Sequence, residues 1–157
     1  MELTSPAFEN NGSIPARFTC EGENVSPELK IAGVPEGCRS LVLIMYDPDI
    51  PEVFKKEKGI LGWDHWTVWN IPASTAIIRE GIAPGVEGKQ TGGAIGYTGP
   101  CPPKEYLPTK HRYYFWLFAL NTELDLPEGS TKAEVESALD GFILAKAELM
   151  GTYEKAG

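Results

Sequence analysis

A proline-rich loop that runs directly into a long aromatic segment constrains this chain more than any other feature of its sequence. The loop, residues 97–103, contains Gly99 and three prolines, and proline lacks the amide donor that a helix interior or a central strand needs. Residues 111–120 are dense in aromatic and aliphatic side chains, which is typical of a strand buried on at least one face. The pattern predicts a β structure in which a histidine at the mouth of a buried strand faces a rigid loop.

Two other predicted strands also have a polar residue at one end. The apolar run 41–46 leads into Asp47, and His65 stands immediately before the strand-like segment 66–72. The two histidines of the chain, His65 and His111, therefore both stand at strand entrances. We expect these ends to meet at one rim and form a small polar site on a hydrophobic scaffold.

The rest of the chain favours an all-β sandwich of antiparallel sheets. Short apolar pieces in residues 1–38 alternate with turn-forming residues, and the unbroken run 41–46 predicts a central strand. Only one helix is expected. Residues 131–134 match a capping box, and the apolar residues that follow lie on one helical face, so we predict a helix over 131–149 that packs on the sandwich and stops at Gly151.

Length and charge narrow the class of protein. A chain of 157 residues that is 42% hydrophobic is expected to form one domain, 1–157. A formal net charge of -8 disfavours binding to nucleic acid or to a generally anionic membrane surface. The N-terminus lacks the basic start and apolar run of a secretory signal, and no segment approaches the roughly 20 apolar residues of a membrane span. A cytoplasmic location is expected.

The cysteines indicate neither a disulfide framework nor a zinc ribbon. They are three in number and contain no CxxC pair, so reduced thiols are the default, with a bridge between Cys20 and Cys38 left open. Cys101 near His111 could act as a nucleophile, but no orienting group or oxyanion hole is evident. We therefore expect Cys101 to fill a tight turn.

Two segments and one peptide bond invite further hypotheses. Residues 52–62 are charged and irregular, which predicts a surface loop beside the site with one helical turn at most. The bond before Pro51 is a candidate for the cis form, since such bonds occur in tight proline turns.

A phosphate loop at Gly88 is rejected, because Ala83 and Gln90 occupy two positions that its motif requires to be Gly and Ser or Thr.

Taken together, the motifs resemble those of the phosphatidylethanolamine-binding protein family, in its bacterial and archaeal Raf-kinase-inhibitor-like branch. The motifs are Asp47-Pro48-Asp49-x-Pro51, His65-Trp66 before Asn70-Ile71-Pro72, Gly99-Pro100-Cys101-Pro102-Pro103 and His111-Arg112-Tyr113. The likeness covers nearly the whole chain and every motif stands in family order. It implies a β-sandwich with Greek-key sheets and a C-terminal α-helix, and bacterial relatives suggest a homodimer.

The resemblance also implies a function and a set of site residues. The function is that of a non-enzymatic binding protein without cofactor or metal, whose pocket recognises a phosphate group on a phospholipid headgroup, a nucleotide or a phosphorylated side chain. It further implies inhibition or modulation of a kinase or a protease. The positions that match the family pocket are Asp47, Asp49, Trp63, His65, Gly99, Pro100, Cys101, Pro102, His111 and Tyr113.

The chemistry of these residues agrees with an anion pocket and leaves one alternative function. Both histidines are expected to donate to phosphate oxygens from an exposed rim. The Asp47 carboxylate is expected to hold one histidine ring in a single tautomer. Arg112 lies on the opposite face of its strand from His111, so we expect it to pair with Asp47 or Asp49 rather than with a ligand. The rival is a metal-assisted hydrolase that uses His65, His111 and Asp47 as ligands.

Overall fold

The structure is a computed structural model that describes residues 1–156. Its elements, in chain order, are β1 (Glu2–Thr4), a 3₁₀ turn (Ala16–Phe18), β2 (Leu29–Ala32), β3 (Ser40–Asp47), α1 (Glu52–Lys58), β4 (Trp63–Pro72), β5 (Ile77–Ile78), β6 (Val86–Glu87), β7 (Lys110–Leu120), α2 (Lys132–Leu139) and β8 (Ile143–Glu154). The strands form two antiparallel sheets, ordered β1-β2-β5 and β6-β4-β3-β7-β8. The all-β prediction is confirmed.

β3 is the centre of the larger sheet, as its unbroken apolar run predicted. It pairs with β4 on one side and β7 on the other, and every residue from 41 to 45 has 0% of its surface exposed. Leu41, Leu43 and Met45 face the core between the two sheets. Val42 and Ile44 face a second core, which α2 covers with Val135 and Leu139. A strand buried on both faces requires apolar side chains at successive positions.

β7 places the predicted site residues at the end of the core. His111, Tyr113, Phe115 and Leu117 alternate along the strand and are all buried on the side of the smaller sheet. The intervening side chains lie on the other face, because successive residues of a strand point to opposite sides. The first two positions of this inward row are polar, so the hydrophobic core ends in a polar pocket at this edge of the sandwich.

The predicted helix over 131–149 is correct at its start and wrong at its end. Thr131 and Glu134 form the expected capping box, in which the Glu134 amide donates to the Thr131 hydroxyl at 3.2 Å. The helix stops at Leu139, and Gly141 follows with φ +87°, a conformation that favours glycine. Residues from Ile143 onward form β8, which pairs along the whole length of β7.

The competing interaction that overrides the helical pattern is this long-range strand pairing. Ala147 and Leu149 are buried because alternate residues of β8 face the core, while Phe142 and Ile143, expected on the helix face, are each 44% exposed. Gly151 does not stop a helix. It lies opposite Tyr113 in the sheet, where a Cβ atom would come within 2.6 Å of Ile14. Neither helix in residues 1–156 is long and apolar enough to span a membrane.

The segment before β4 differs from its prediction in two ways. Residues Glu52–Lys58 form a helix, α1, none of whose side chains is buried. Among residues 1–156 the cis peptide bond is Leu107–Pro108, so the predicted cis bond at Ile50–Pro51 is wrong. Pro51 instead stands immediately before α1, where its restricted φ and missing N–H suit the start of a helix.

The cysteine prediction was also wrong. Cys20 and Cys101 form a disulfide with their Cα atoms 5.4 Å apart, and Cys38 is the free thiol. The pair is separated by 81 positions in sequence, so only the folded chain reveals it. Loop 97–103 lies against the segment after the 3₁₀ turn, where the Cys20 amide donates to the Pro100 carbonyl at 3.1 Å.

We predict that α2 stabilises the fold by covering the second core. Leu139 is 5% exposed, so Leu139→Ala should lower the free energy of unfolding by about 2–5 kcal/mol in urea melts. Glu136→Ala in the same helix is the control, because Glu136 is 45% exposed and forms only a surface ion pair with Lys132. It should change stability by less than about 0.5 kcal/mol. Equal effects of the two variants would contradict the docking of α2.

We also predict that the disulfide contributes strongly to stability. For a closed loop of this length, the chain-entropy estimate for the double variant Cys20→Ser, Cys101→Ser is a loss of about 3–4.5 kcal/mol. Cys38→Ser is the matched control, because that thiol is not bridged and serine keeps a donor toward the Ser40 carbonyl, which lies 3.3 Å from Sγ. Thiol titration of the denatured, unreduced chain should find one free thiol, from Cys38. Three free thiols before reduction would show that the bridge does not form.

Candidate functional site

A cavity of about 300 Å³ opens where β3 ends and where β4 and β7 begin. Segments from three strands, from α1 and from loop 97–103 contribute to its wall. The lining residues are Asp47, Ile50, Pro51, Phe54, Trp63, His65, Gln90, Thr98, Gly99, Cys101, Pro102, Pro103, His111 and Tyr113. The structure thus brings together residues that are up to 66 positions apart in sequence.

Most of the residues predicted for the site lie in this cavity. Asp47, Trp63, His65, Gly99, Cys101, Pro102, His111 and Tyr113 line it. Asp49 and Pro100 are not among the lining residues; Asp49 accepts from Arg112, and the Pro100 carbonyl accepts from the Cys20 amide. Ile50, Phe54, Gln90 and Thr98 line it without having been predicted as site residues. Ile50 is the unspecified residue of the motif Asp47-Pro48-Asp49-x-Pro51 and Thr98 lies in loop 97–103, so position within these segments could have identified both. Phe54 and Gln90 lie outside the family motifs, and no sequence signal identified them.

Asp47 and His111 form a buried pair at the inner end of the cavity. Asp47 is 2% exposed and His111 is 1% exposed, and Asp47 Oδ2 lies 2.7 Å from His111 Nδ1. The other oxygen, Oδ1, accepts from the Asp49 amide at 2.7 Å. His111 Nε2 lies 3.0 Å from the Pro108 carbonyl. Both ring nitrogens face oxygen acceptors, so both contacts are hydrogen bonds when the ring carries two protons.

His65 is held differently and keeps one nitrogen free. Its ring is 5% exposed, and Nδ1 lies 2.7 Å from the Thr98 carbonyl. A carbonyl only accepts, so Nδ1 carries the proton of this bond. Burial lowers the pKa of His65 below its ordinary value, and the Thr98 bond and the charge of Asp47 offset this only in part. The ring is therefore neutral near pH 7, and Nε2 presents an acceptor lone pair.

Tyr113 provides the donor that the histidines do not. Its side chain is 0% exposed, and its hydroxyl forms no hydrogen bond of normal geometry in residues 1–156, although the Cys101 backbone interacts with it. Burial raises the pKa of the hydroxyl, and the negative charges of Asp47 and Asp49 raise it further, so the group keeps its proton. The ring meets His65 edge to face, with centroids 5.3 Å apart. A protonated hydroxyl and a neutral imidazole therefore both line the cavity, on rings that contact each other.

These contacts differ from the expectation that both histidines donate from an exposed rim. Both rings are buried, His111 uses its two nitrogens on protein oxygens, and His65 donates only to Thr98. In this arrangement neither ring offers a free N–H to the cavity. The Tyr113 hydroxyl is a buried polar atom of the wall without a hydrogen-bond partner in residues 1–156, and His65 bonds to the protein through Nδ1.

Loop 97–103 is fixed by bonds to the segment that includes the 3₁₀ turn. The Tyr97 hydroxyl donates to the Phe18 carbonyl at 2.7 Å, and the Gly99 amide donates to the Asn24 side chain at 2.8 Å. Gly99 is required by close approach, because a Cβ atom there would lie 2.0 Å from the Phe18 carbonyl oxygen. With the disulfide at Cys101, these contacts hold the wall of the cavity in place.

Arg112 does not reach the cavity, as its place on the opposite face of β7 predicted. Its guanidinium forms two hydrogen bonds to Asp49, from Nε at 2.8 Å and from Nη2 at 2.7 Å. These bonds are the main reason that the pKa of Asp49 lies below its ordinary value. The predicted pairing of Arg112 with an aspartate is confirmed, and it braces the chain directly after β3.

The outer part of the cavity is apolar. Ile50, Pro51 and Phe54 form one side, and Phe54 packs edge to face on Tyr106 with ring centroids 5.0 Å apart. Trp63 and the two prolines of the loop complete the wall. Because the buried polar groups lie inside this wall, the cavity suits a molecule with a small polar end and an apolar remainder.

The polar residues of the cavity do not form a metal centre. No group of three or more His, Cys, Asp or Glu side chains in residues 1–156 is arranged to hold a metal ion. The atoms of Asp47 and His111 that face each other are already hydrogen-bonded. The hydrolase interpretation would require this pair to separate.

Comparison with known proteins identifies relatives over almost the entire chain. The family profile described as "Phosphatidylethanolamine-binding protein" matches residues 4–154. A UPF0098 protein of Chlamydia trachomatis is 46% identical over 156 residues, which cover 99% of each chain. A UPF0098 protein of the archaeon Methanothermobacter thermautotrophicus is 40% identical over 162 aligned positions, again covering 99% of each.

Solved structures show the same fold. The crystal structure of CT736 from Chlamydia trachomatis, named as a homologue of phosphatidylethanolamine-binding protein, superposes with a TM-score of 0.91 at 44% identity and covers 99% of this chain and 97% of that one. YbcL of E. coli, named as a member of the mammalian PEBP family, gives a TM-score of 0.85 at 32% identity, with 99% and 98% covered.

Proposed function

The chain belongs to the phosphatidylethanolamine-binding protein family, and on that premise we propose that it is a non-enzymatic binding protein whose cavity takes a phosphate-type anion. The ligand places its phosphate among Tyr113, His65 and the Asp47–His111 pair. Its organic part lies along the apolar outer wall. A phospholipid headgroup, a nucleotide or a phosphorylated side chain has this combination of groups.

The observation that carries the proposal is the unpartnered hydroxyl of Tyr113. A buried polar group without a hydrogen bond costs about 1–3 kcal/mol, so folded proteins rarely retain one without a reason. Tyr113 lines the cavity, and its hydroxyl keeps its proton because burial raises its pKa. A ligand oxygen that accepts this proton would relieve the cost, and an anionic oxygen would gain most.

The neighbouring charges also support an anion of small size. Asp47 Oδ2 faces His111 Nδ1 at 2.7 Å and Oδ1 accepts from the Asp49 amide at 2.7 Å, so both carboxylate oxygens are occupied within the protein and repel a phosphate less than an isolated aspartate would. Lys58 lies near the entrance, with its ammonium 5.9 Å from the centre of the Trp63 ring. The pocket therefore offers hydrogen bonding at its inner end and a cation at its mouth, although the whole chain has a net charge of -8.

The rival function, a metal-assisted hydrolase, has weaker support. It requires His65, His111 and Asp47 to turn their free atoms toward one ion. Asp47 Oδ1 instead accepts from the Asp49 amide, and the two nitrogens of His111 lie 2.7 Å from Asp47 Oδ2 and 3.0 Å from the Pro108 carbonyl. Modulation of a kinase or a protease, as the family resemblance implies, would follow if the phosphate belongs to a protein side chain.

We predict that Tyr113→Phe weakens ligand binding without lowering the stability of the protein. Removing the hydroxyl should weaken the binding of phenyl phosphate by about 1.5–3 kcal/mol, the value for a hydrogen bond to a charged group, as measured by isothermal titration calorimetry. The same change should leave the ligand-free protein as stable as before or up to about 1–3 kcal/mol more stable, because it removes a buried donor without a partner.

Tyr114→Phe is the matched control. Tyr114 lies on the other face of β7, and its hydroxyl contacts Arg112 at 3.3 Å near the surface. This variant should bind phenyl phosphate as the unmodified protein does. If Tyr113→Phe binds phenyl phosphate unchanged, the hydroxyl does not contact the anion and the proposed pocket is wrong.

A further inference from the structure

We propose that a second cavity, separate from the first, binds a small organic cation such as a protonated primary amine on a short apolar stem. The second cavity has a volume of about 310 Å³ and lies among residues 24–26, residues 81–83 after β5, Glu87 of β6 and residues 95–97. None of the described residues that line it also lines the first cavity. A test of one site is therefore not a test of the other.

Glu87 gives the second cavity a negative charge. It is the charged residue among those of the described chain that line this cavity, and it is half-buried. Glu87 Oε2 accepts from the indole Nε1–H of Trp66 at 2.7 Å. A carboxylate has about four acceptor positions, so this single bond leaves most of them available. In residues 1–156 no ion pair includes Glu87, so no basic side chain there offsets its charge by direct contact.

The other polar side chains of this wall are neutral. The Tyr97 hydroxyl and the Trp66 indole already donate within the protein. The Asn24 side-chain oxygen accepts from a loop amide at 2.8 Å, which leaves the Asn24 side-chain nitrogen and the Ser26 hydroxyl. Because a hydroxyl accepts as well as donates, Ser26 can bond to a cation. The sign of the ligand is therefore decided by the carboxylate of Glu87.

The glycine at position 96 leaves this carboxylate accessible. Gly96 lines the cavity with φ +106°, a conformation that favours glycine. A Cβ atom at this position would lie 3.4 Å from Glu87 Oε2 and 3.6 Å from Oε1. Any longer side chain would crowd both acceptor atoms. Glycine therefore keeps space beside the carboxylate that an ammonium group can occupy.

The edge of the second cavity is apolar. Ile82 and Ile95 both line it, and they are 57% and 48% exposed. An alkyl stem can pack on such side chains while its charged end reaches a polar partner. A metal ion does not match this wall, because no group of three or more His, Cys, Asp or Glu side chains in the described chain is arranged to hold one. The wall therefore suits a cation that carries a short hydrocarbon chain.

The charged groups next to the cavity do not cancel the charge of Glu87. Arg17 forms ion pairs with Glu23 and with Glu80, which directly precede lining residues of the cavity. One positive and two negative side chains leave this neighbouring group with a net negative charge. The three side chains are exposed, so salt screens their effect on a ligand more than it screens a contact inside the cavity.

The test compares three probes that share one butyl or butyryl chain, namely butylammonium, 1-butanol and butyrate. Each is titrated into the full chain at constant ionic strength near neutral pH, and the indole N–H resonance of Trp66 is followed by NMR. Because this N–H donates to Glu87, its chemical shift reports on the carboxylate. We expect a saturable shift with butylammonium, affinity for 1-butanol at least about tenfold weaker and no shift with butyrate, since charge-assisted hydrogen bonds are the stronger ones.

Glu87→Gln removes the charge and keeps an acceptor. The amide oxygen of glutamine can still accept from the Trp66 indole, so the wall keeps its shape. Affinity for butylammonium should fall by at least about tenfold, to the level of 1-butanol. Glu80→Gln is the matched control, because Glu80 lies outside the wall and Arg17 keeps Glu23 as a partner. This control should change the affinity by less than about twofold.

One further probe distinguishes a free amine from a lysine side chain of another protein. Nα-acetyl-lysine N-methylamide carries the same butylammonium stem on a peptide backbone. Tighter binding of this probe than of butylammonium would support a cation site that receives a lysine side chain. Weaker binding would support a site that encloses a free amine.

Three results would overturn the second site. The first is the absence of a saturable shift with butylammonium, and the second is similar affinity for all three four-carbon probes. The third is an equal loss of affinity in Glu87→Gln and Glu80→Gln, which would show attraction to an acidic surface rather than contact with one carboxylate. If Glu87→Gln does not fold, the comparison of the three probes with the unmodified protein decides.

Discussion

The buried pair formed by Asp47 and His111 is the contact on which the site depends. Removing either member would leave a polar or charged group in an apolar interior, which typically costs several kcal/mol. The bond joins the end of β3 to the start of β7, two neighbouring interior strands of the larger sheet. The same aspartate accepts from Asp49, which in turn holds Arg112. The end of the sandwich is thereby held by polar contacts where the hydrophobic core stops.

That pair also decides what the cavity can offer a ligand. Because Asp47 and His111 satisfy each other, the most conspicuous polar residues of the sequence are not the ones left free. Tyr113 and His65, whose rings are in contact, each keep one polar atom without a hydrogen bond to the protein. A buried hydroxyl without a partner lowers the stability of the empty protein, and such costs are commonly found where proteins bind ligands. Binding and stability are therefore linked through one hydroxyl.

The wall of the cavity is stiff for a separate reason. Loop 97–103 contains prolines that limit its conformations, and it is tied to residues 18–24 by the disulfide and by bonds at Tyr97 and Gly99. Loop 97–103 itself belongs to no strand or helix, so tertiary contacts hold the wall. A ligand that enters a preformed wall loses less affinity to ordering of the protein than one that must organise a mobile loop.

Local sequence determined the parts of this protein that depend on local chemistry. The continuous apolar run of β3, the alternation in β7 and the capping box of α2 were all predicted correctly, since each follows from side-chain periodicity or from neighbouring residues. Most of the residues that the family resemblance implied for the site line one cavity. Tertiary structure alone decided that residues after Gly141 form a strand, because pairing with β7 outweighs a helical pattern. It likewise decided the bridge from Cys20 to Cys101 and the partner of each histidine nitrogen, because these depend on distances between segments that periodicity does not encode.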